Sequence, residues 1–151
     1  MKKILMAMVA VAAVAMAGIA VAADTATIGV SATVAGNCKV LSPGSISYAL
    51  DPATGGIAAG TVTQPTFWCT KASAYTITDP GGLYDSGGSK RMKHAILDEY
   101  IPYTFTFTAT GTGAGRGTTL SMDIASTVAE ANYINASAGN YADSVTLTFT
   151  P

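Results

Sequence analysis

Apolar residues alternate with threonine at a period of two through much of this chain, a pattern that restricts it to half-buried β-strands. From Thr25 to Val34, one face carries Ala26, Ile28, Val30, Ala32 and Val34, and the other carries Thr25, Thr27, Gly29, Ser31 and Thr33. The pattern returns at Tyr103, Phe105 and Phe107 between Thr104, Thr106 and Thr108, at Leu120, Met122 and Ile124, and at Val145, Leu147 and Phe149 between Thr146, Thr148 and Thr150. Such alternation belongs to antiparallel sheets with one buried and one wet face. Ser42-Pro43-Gly44, Asp51-Pro52, Gly55-Gly56, Asp79-Pro80-Gly81-Gly82, Ser86-Gly87-Gly88 and the glycines from Gly111 to Gly117 punctuate these runs as turns. The expected architecture is a single all-β, antiparallel sandwich of about seven short strands. Phe67-Trp68-Cys69 and Ala74 to Thr78 read as core strands, with Trp68 beside Cys69 expected to plug the core. Only Ser126 to Ala131 offers a helical turn.

The N-terminus has a different character. Lys2 and Lys3 precede an uncharged run rich in Ala and Val from Ile4 to Ala23, the pattern of a secretory signal peptide over residues 1–23. Ala20-Val21-Ala22 and Val21-Ala22-Ala23 both fit the small-x-small cleavage rule, so the mature chain is expected to start at Ala23 or Asp24. The alternative is an uncleaved membrane anchor, since the run is just long enough to span a bilayer, although alanine inserts weakly. Without the signal, six basic and nine acidic side chains remain, for a net charge of −3. That balance argues against a nucleic-acid partner.

Cys38 and Cys69 are the two cysteines of a chain marked for export, and a disulfide between them is the expectation in an oxidising compartment. A metal site or a catalytic thiol is the alternative, but the single His94 supplies neither a ligand set nor a base. No nucleophile elbow, phosphate loop, zinc-binding pair or calcium loop occurs. The alternating glycines from Gly111 to Gly117 lack dinucleotide spacing and read as a hairpin or flexible loop. Lys90, Arg91, Lys93 and His94 form a basic cluster next to Asp98-Glu99, expected to be a solvated strand face or a local ion pair. Neither an enzymatic activity, a cofactor, a metal nor a small-molecule substrate is expected.

The run Thr25 to Val34 directly follows the expected cleavage site, where a chain is ordinarily disordered. It is either the first strand of its own sheet or a strand given to another molecule.

The tail from Ala138 to Phe149, Ala-Gly-Asn-Tyr-Ala-Asp-Ser-Val-Thr-Leu-Thr-Phe, resembles the A-G-x-Y-x-D-x-V C-terminal strand of the spore coat protein U family, which includes subunits of archaic chaperone–usher pili. Cys38, Phe67-Trp68-Cys69-Thr70, Tyr75-Thr76-Ile77, Arg91-Met92 and Ile101-Pro102-Tyr103 follow in matching order, so the resemblance runs from Thr25 to Phe149. It implies an immunoglobulin-like sandwich lacking its last strand. A periplasmic chaperone fills the resulting groove first, and an outer-membrane usher exchanges the chaperone strand for the N-terminal strand of the next identical or related subunit. On this reading residues 24–35 are the donor strand, with Ala26, Ile28, Val30, Ala32 and Val34 as its inserted face. Residues 36–151 form the pilin domain, and Val145, Leu147 and Phe149 line the acceptor groove. The destination is the cell surface, through the periplasm, as a pilus or coat. Two rivals carry over from the residues alone. One is a secreted monomeric sandwich recognising carbohydrate or protein through the Tyr84–Gly88 and Gly111–Gly117 loops; the other is a small outer-membrane barrel.

Overall fold

In the computed structural model the described residues are 23–151, so the expected signal peptide lies outside them apart from Ala23. The chain divides into two units, one ending at Thr33 and the other running from Val34 to Pro151. In the first, residues 23–33 form no strand, and Ile28 and Val30 are exposed. The alternating run is therefore not the first strand of a sheet in this chain.

The second unit is all β apart from one short 3-10 turn. Among the described residues its strands are β1 (Cys38–Ser42), β2 (Ser45–Ser47), β3 (Ala58–Ala59), β4 (Thr61–Thr63), β5 (Thr66–Cys69) and β6 (Ala74–Thr78). They continue with β7 (Lys90–His94), β8 (Tyr100–Thr106), β9 (Thr110–Thr112), β10 (Leu120–Ser121), β11 (Ala125–Val128), β12 (Tyr141–Ala142) and β13 (Thr148–Thr150). The sheets run β1-β5-β10, β12-β7-β8-β11-β3, β13-β6-β9 and β2-β4, with every pairing antiparallel. Among the described residues all four sheets have free ends, and none closes into a barrel.

The strands are shorter and more numerous than expected because side chains and turn residues interrupt the ladders. Pro43-Gly44 separates β1 from β2, and Gln64-Pro65 separates β4 from β5. Between β10 and β11, the Gln64 carboxamide donates to the Ile124 carbonyl and accepts from the Ile124 N–H, both at 2.8 Å, taking the place of a strand partner where the chain passes from one sheet to another. Asp123 accepts from the Thr108 N–H at 2.8 Å beside the same break. The helical turn also falls later than expected. Ser126 belongs to β11, where it is buried and bonded to the Tyr48 hydroxyl and the Thr104 carbonyl, and the 3-10 turn covers Glu130–Asn132.

The interior has two clusters. Phe67, Cys69, Ile77, Met122 and Ile124 form one, and Met92, Ile101, Val128 and Tyr133 the other. The expected core plug is corrected here: Phe67 is 1% exposed, whereas Trp68 is half-exposed on the opposite face of β5. Successive side chains of a strand point to opposite faces, so Cys69 and Phe67 share the interior and Trp68 cannot. Phe67 stacks against Phe149 and Tyr75, with ring centroids 4.8 and 5.3 Å away. Phe67→Ala is expected to cost about 3–5 kcal/mol of stability, and Trp68→Ala much less, in paired denaturant unfolding curves. Equal losses would show that the two faces of β5 are misassigned.

The disulfide joins Cys38 to Cys69, which sit directly opposite each other in the β1–β5 ladder. Of the basic cluster, Lys93 pairs locally with Asp98 at 3.5 Å, but Lys90 reaches Asp79 on another segment at 2.7 Å. Arg91 donates to the Tyr84 carbonyl at 3.0 Å and lies over the Tyr100 ring. His94 is buried.

Candidate subunit-binding cleft

The stretch from Tyr141 to Phe149 alternates without a break: Tyr141, Asp143, Val145, Leu147 and Phe149 are half-buried, and Ala142, Ser144, Thr146 and Thr148 are exposed. Period two puts the first set on one face, and that face lines a cleft of about 640 Å³. Val145, Leu147 and Phe149 are thus brought together on one wall. The opposite wall is Val40 of β1 with Pro43 to Ile46 leading into β2, and the floor includes Met92, Tyr103, Phe105 and Ile124. These side chains are only half-buried or exposed along the walls because the cleft is open to solvent.

Both walls are sheet edges. Among the described residues β1 pairs only with β5, and β13 only with β6. On the β6 side, Val145 adds a single bridge to Gly82, beyond the end of β6. Among the described residues the remaining edge N–H and C=O groups have no ladder partner, and an open edge beside apolar side chains is a template for another strand. The cleft therefore has the two things a strand needs, backbone partners and pockets for alternate side chains.

Its carboxylate and tyrosine hydroxyls are already engaged. The Asp143 carboxylate accepts from the Tyr103 hydroxyl at 2.7 Å and from the Tyr84 N–H at 3.2 Å. Burial, followed by this bond to Asp143, pushes the Tyr103 hydroxyl pKa far above its ordinary value. The pair ties the β12–β13 wall to β8. Gly82 makes room for it, since a Cβ there would overlap the Asp143 carboxylate. Nothing in the sequence marked Tyr103 and Asp143 as partners across 40 positions; the D of the tail motif was the available signal.

The start of the wall is held by Glu99. Its carboxylate accepts from the Ser137 hydroxyl at 2.8 Å, the Ser137 N–H at 3.1 Å and the Tyr141 hydroxyl at 3.0 Å. The Ser137 hydroxyl, then its N–H, then Tyr141 hold the Glu99 pKa below the usual carboxylate range. A depressed folded-state pKa means that this stabilisation is complete above the unfolded value of about 4.3 and is lost as pH falls through the lower folded value. The difference in melting temperature between the native chain and Glu99→Gln is therefore expected to be present at neutral pH and to shrink below about pH 4. A pH-independent difference would contradict that role.

Donor-face residues Ala26, Ile28, Val30, Ala32 and Val34 are all exposed, with Ile28 at 83%, Val30 at 92% and Val34 at 82%. Among the described residues no group of three or more His, Cys, Asp or Glu is placed to hold a metal ion.

Fold and cleft together define a class: all-β sandwiches with an apolar channel left open between two strand edges. Within it, the chain belongs to the Spore Coat Protein U domain family, which matches residues 24–148. No curated protein matches it. Among solved structures it is similar to a chain in the crystal structure of the CsuC-CsuE chaperone–tip adhesion subunit pre-assembly complex from archaic chaperone–usher Csu pili of Acinetobacter baumannii. The identity is 16% and the TM-score 0.48, covering 78% of this chain and 40% of that one.

Proposed function

We propose that the protein is a structural subunit of an extracellular fibre or coat, exported through the periplasm and polymerised by donor-strand complementation. Residues 24–35 act as donor and residues 36–151 as the receiving domain. The observation that carries this reading is the cleft between β1 and β13, apolar along its floor and bounded by two edges that are unpaired among the described residues. A strand laid in it satisfies both edges at once. The exposed run Thr25–Val34 has the right chemistry, with five small or branched apolar side chains on one face. Its ten residues extend about 33 Å, and the cleft wall from Tyr141 to Phe149 about 30 Å.

The energetics favour a long-lived joint. Burying Ile28, Val30 and Val34 contributes about 5–8 kcal/mol. About ten ladder hydrogen bonds add about 1 kcal/mol each. Association costs reduce the total but leave a linkage that opens slowly without a covalent bond. Before polymerisation the same cleft requires a periplasmic chaperone, and an outer-membrane usher catalyses the exchange. A structural role, rather than an enzymatic one, also suits the cleft: its one carboxylate is held by Tyr103 and the Tyr84 N–H.

The face of the donor is testable. Ile28→Asp is expected to reduce polymer on unboiled denaturing gels severely, and Thr27→Asp only slightly, because only residue 28 enters the cleft. Equal effects would show the wrong face was assigned.

A further inference from the structure

The glycine-rich loop that reads as a flexible hairpin in the sequence is instead clamped onto the end of β5. Gly113 donates to the Ser73 carbonyl at 2.7 Å and accepts from the Ala72 N–H at 2.8 Å, and the Gly115 N–H donates to the Cys69 carbonyl at 2.9 Å. A Cβ at Gly113 would overlap the Thr70 carbonyl, and Gly115 has φ +97°, so both glycines are required for this approach. The clamp delivers Arg116 to the outer face of the β1-β5-β10 sheet, beside Trp68, Lys39 and Leu41, around an open depression of about 320 Å³. Lys39 sits opposite Trp68 in the β1–β5 register, and Leu41 follows two residues on, on the same face.

The charges here are uncommitted. Among the described residues Lys90 and Lys93 are in ion pairs, while Lys39 and Arg116 have no carboxylate within reach. Lys71, whose Cβ lies 3.5 Å from a Cβ built on Gly115, is equally unpaired and belongs to the same end of the molecule. A chain of net charge −3 beyond its signal thus places two free cations, Lys39 and Arg116, beside its single tryptophan.

We propose that this depression binds an acidic polysaccharide bearing uronate carboxylates. The half-exposed Trp68 indole stacks on the C–H face of a pyranose ring. Arg116 holds the carboxylate in a charge-assisted, bidentate arrangement, with Lys39 as a second point charge. A neutral glycan has no use for the cations. Single-stranded nucleic acid needs a longer basic track and several stacking rings, and this face has one ring. The site lies on the outward face of β1, where Lys39 and Leu41 point, whereas Val40 points into the cleft. It stands independently of the polymerisation proposal.

The test is calorimetric titration of the full exported chain, in the form in which it is isolated, with a galacturonate hexamer, cellohexaose and a twelve-nucleotide oligothymidylate. The galacturonate hexamer is expected to bind, with cellohexaose and the oligonucleotide at least tenfold weaker. Arg116→Ala and Trp68→Ala are each expected to weaken it about tenfold or more, the scale of one charge-assisted hydrogen bond. Lys39→Ala gives a smaller loss. Arg116 and Lys39 are exposed, so their variants keep the fold even if Trp68→Ala does not. No binding of the hexamer, equal binding of either comparison oligomer, or binding unchanged in Arg116→Ala would each overturn the proposal.

Discussion

Removal of Asp24 to Val34 is expected to abolish polymer while leaving the remaining domain able to fold when a donor-type chaperone strand is supplied. The expectation follows from where the excised residues stand: none is part of a strand in the single chain, and Val30 is 92% exposed, so the core loses no packing. What disappears is the segment that would bury three branched side chains and complete two sheet edges on a neighbour. Loss of about 5–8 kcal/mol of apolar burial alone changes an association constant by several powers of ten. On an unboiled denaturing gel the native protein is expected to give a ladder, and the truncated protein a single low band. A surviving ladder would remove the N-terminal segment from the joint.

The second large effect is expected from the disulfide. Cys38 and Cys69 close a loop of sequence separation 31 and lie across the β1–β5 ladder, with Cys69 fully buried beside Phe67. Substituting both cysteines with alanine is expected to lower stability by about 3–4 kcal/mol, the loop-closure value for that length in the chain-entropy model. Because β1 forms one wall of the cleft, loosening it also withdraws one of the two edges a donor strand needs. Denaturant midpoints of the oxidised and doubly substituted domains measure the first effect, and gel ladders the second. Two freely titrating thiols in the native protein, or coincident midpoints, would contradict it.

Much of this was legible in the sequence because strand periodicity is local. That Val145, Leu147 and Phe149 share one strand face could be read from the threonines between them, and the same holds for Tyr103 and Phe105; that the first set lines a groove came from the family resemblance. The interruptions were not legible. Gln64 replaces a strand partner for Ile124 from 60 positions away, and it leaves no trace in the alternation of Leu120, Met122 and Ile124, which all face inward as expected. Trp68 misled because its place beside a cysteine suggested a core plug. The alternation of β5 with Phe67 and Cys69 was the better guide, since a cysteine committed to a disulfide fixes which face is interior. The second wall, Val40 to Ile46, and the Tyr103–Asp143 pair required knowing which segments meet, and no single-segment pattern contains that information.

The segment Thr25–Val34 tests the central claim most directly, because its state must differ between one chain and the assembled form. Hydrogen exchange read by mass spectrometry on the exported, assembled protein is predicted to show strong protection of the 25–34 amides, together with those of 40–46 and 141–149. Exchange of 25–34 at the rate of an unstructured peptide in that material would contradict donor-strand polymerisation.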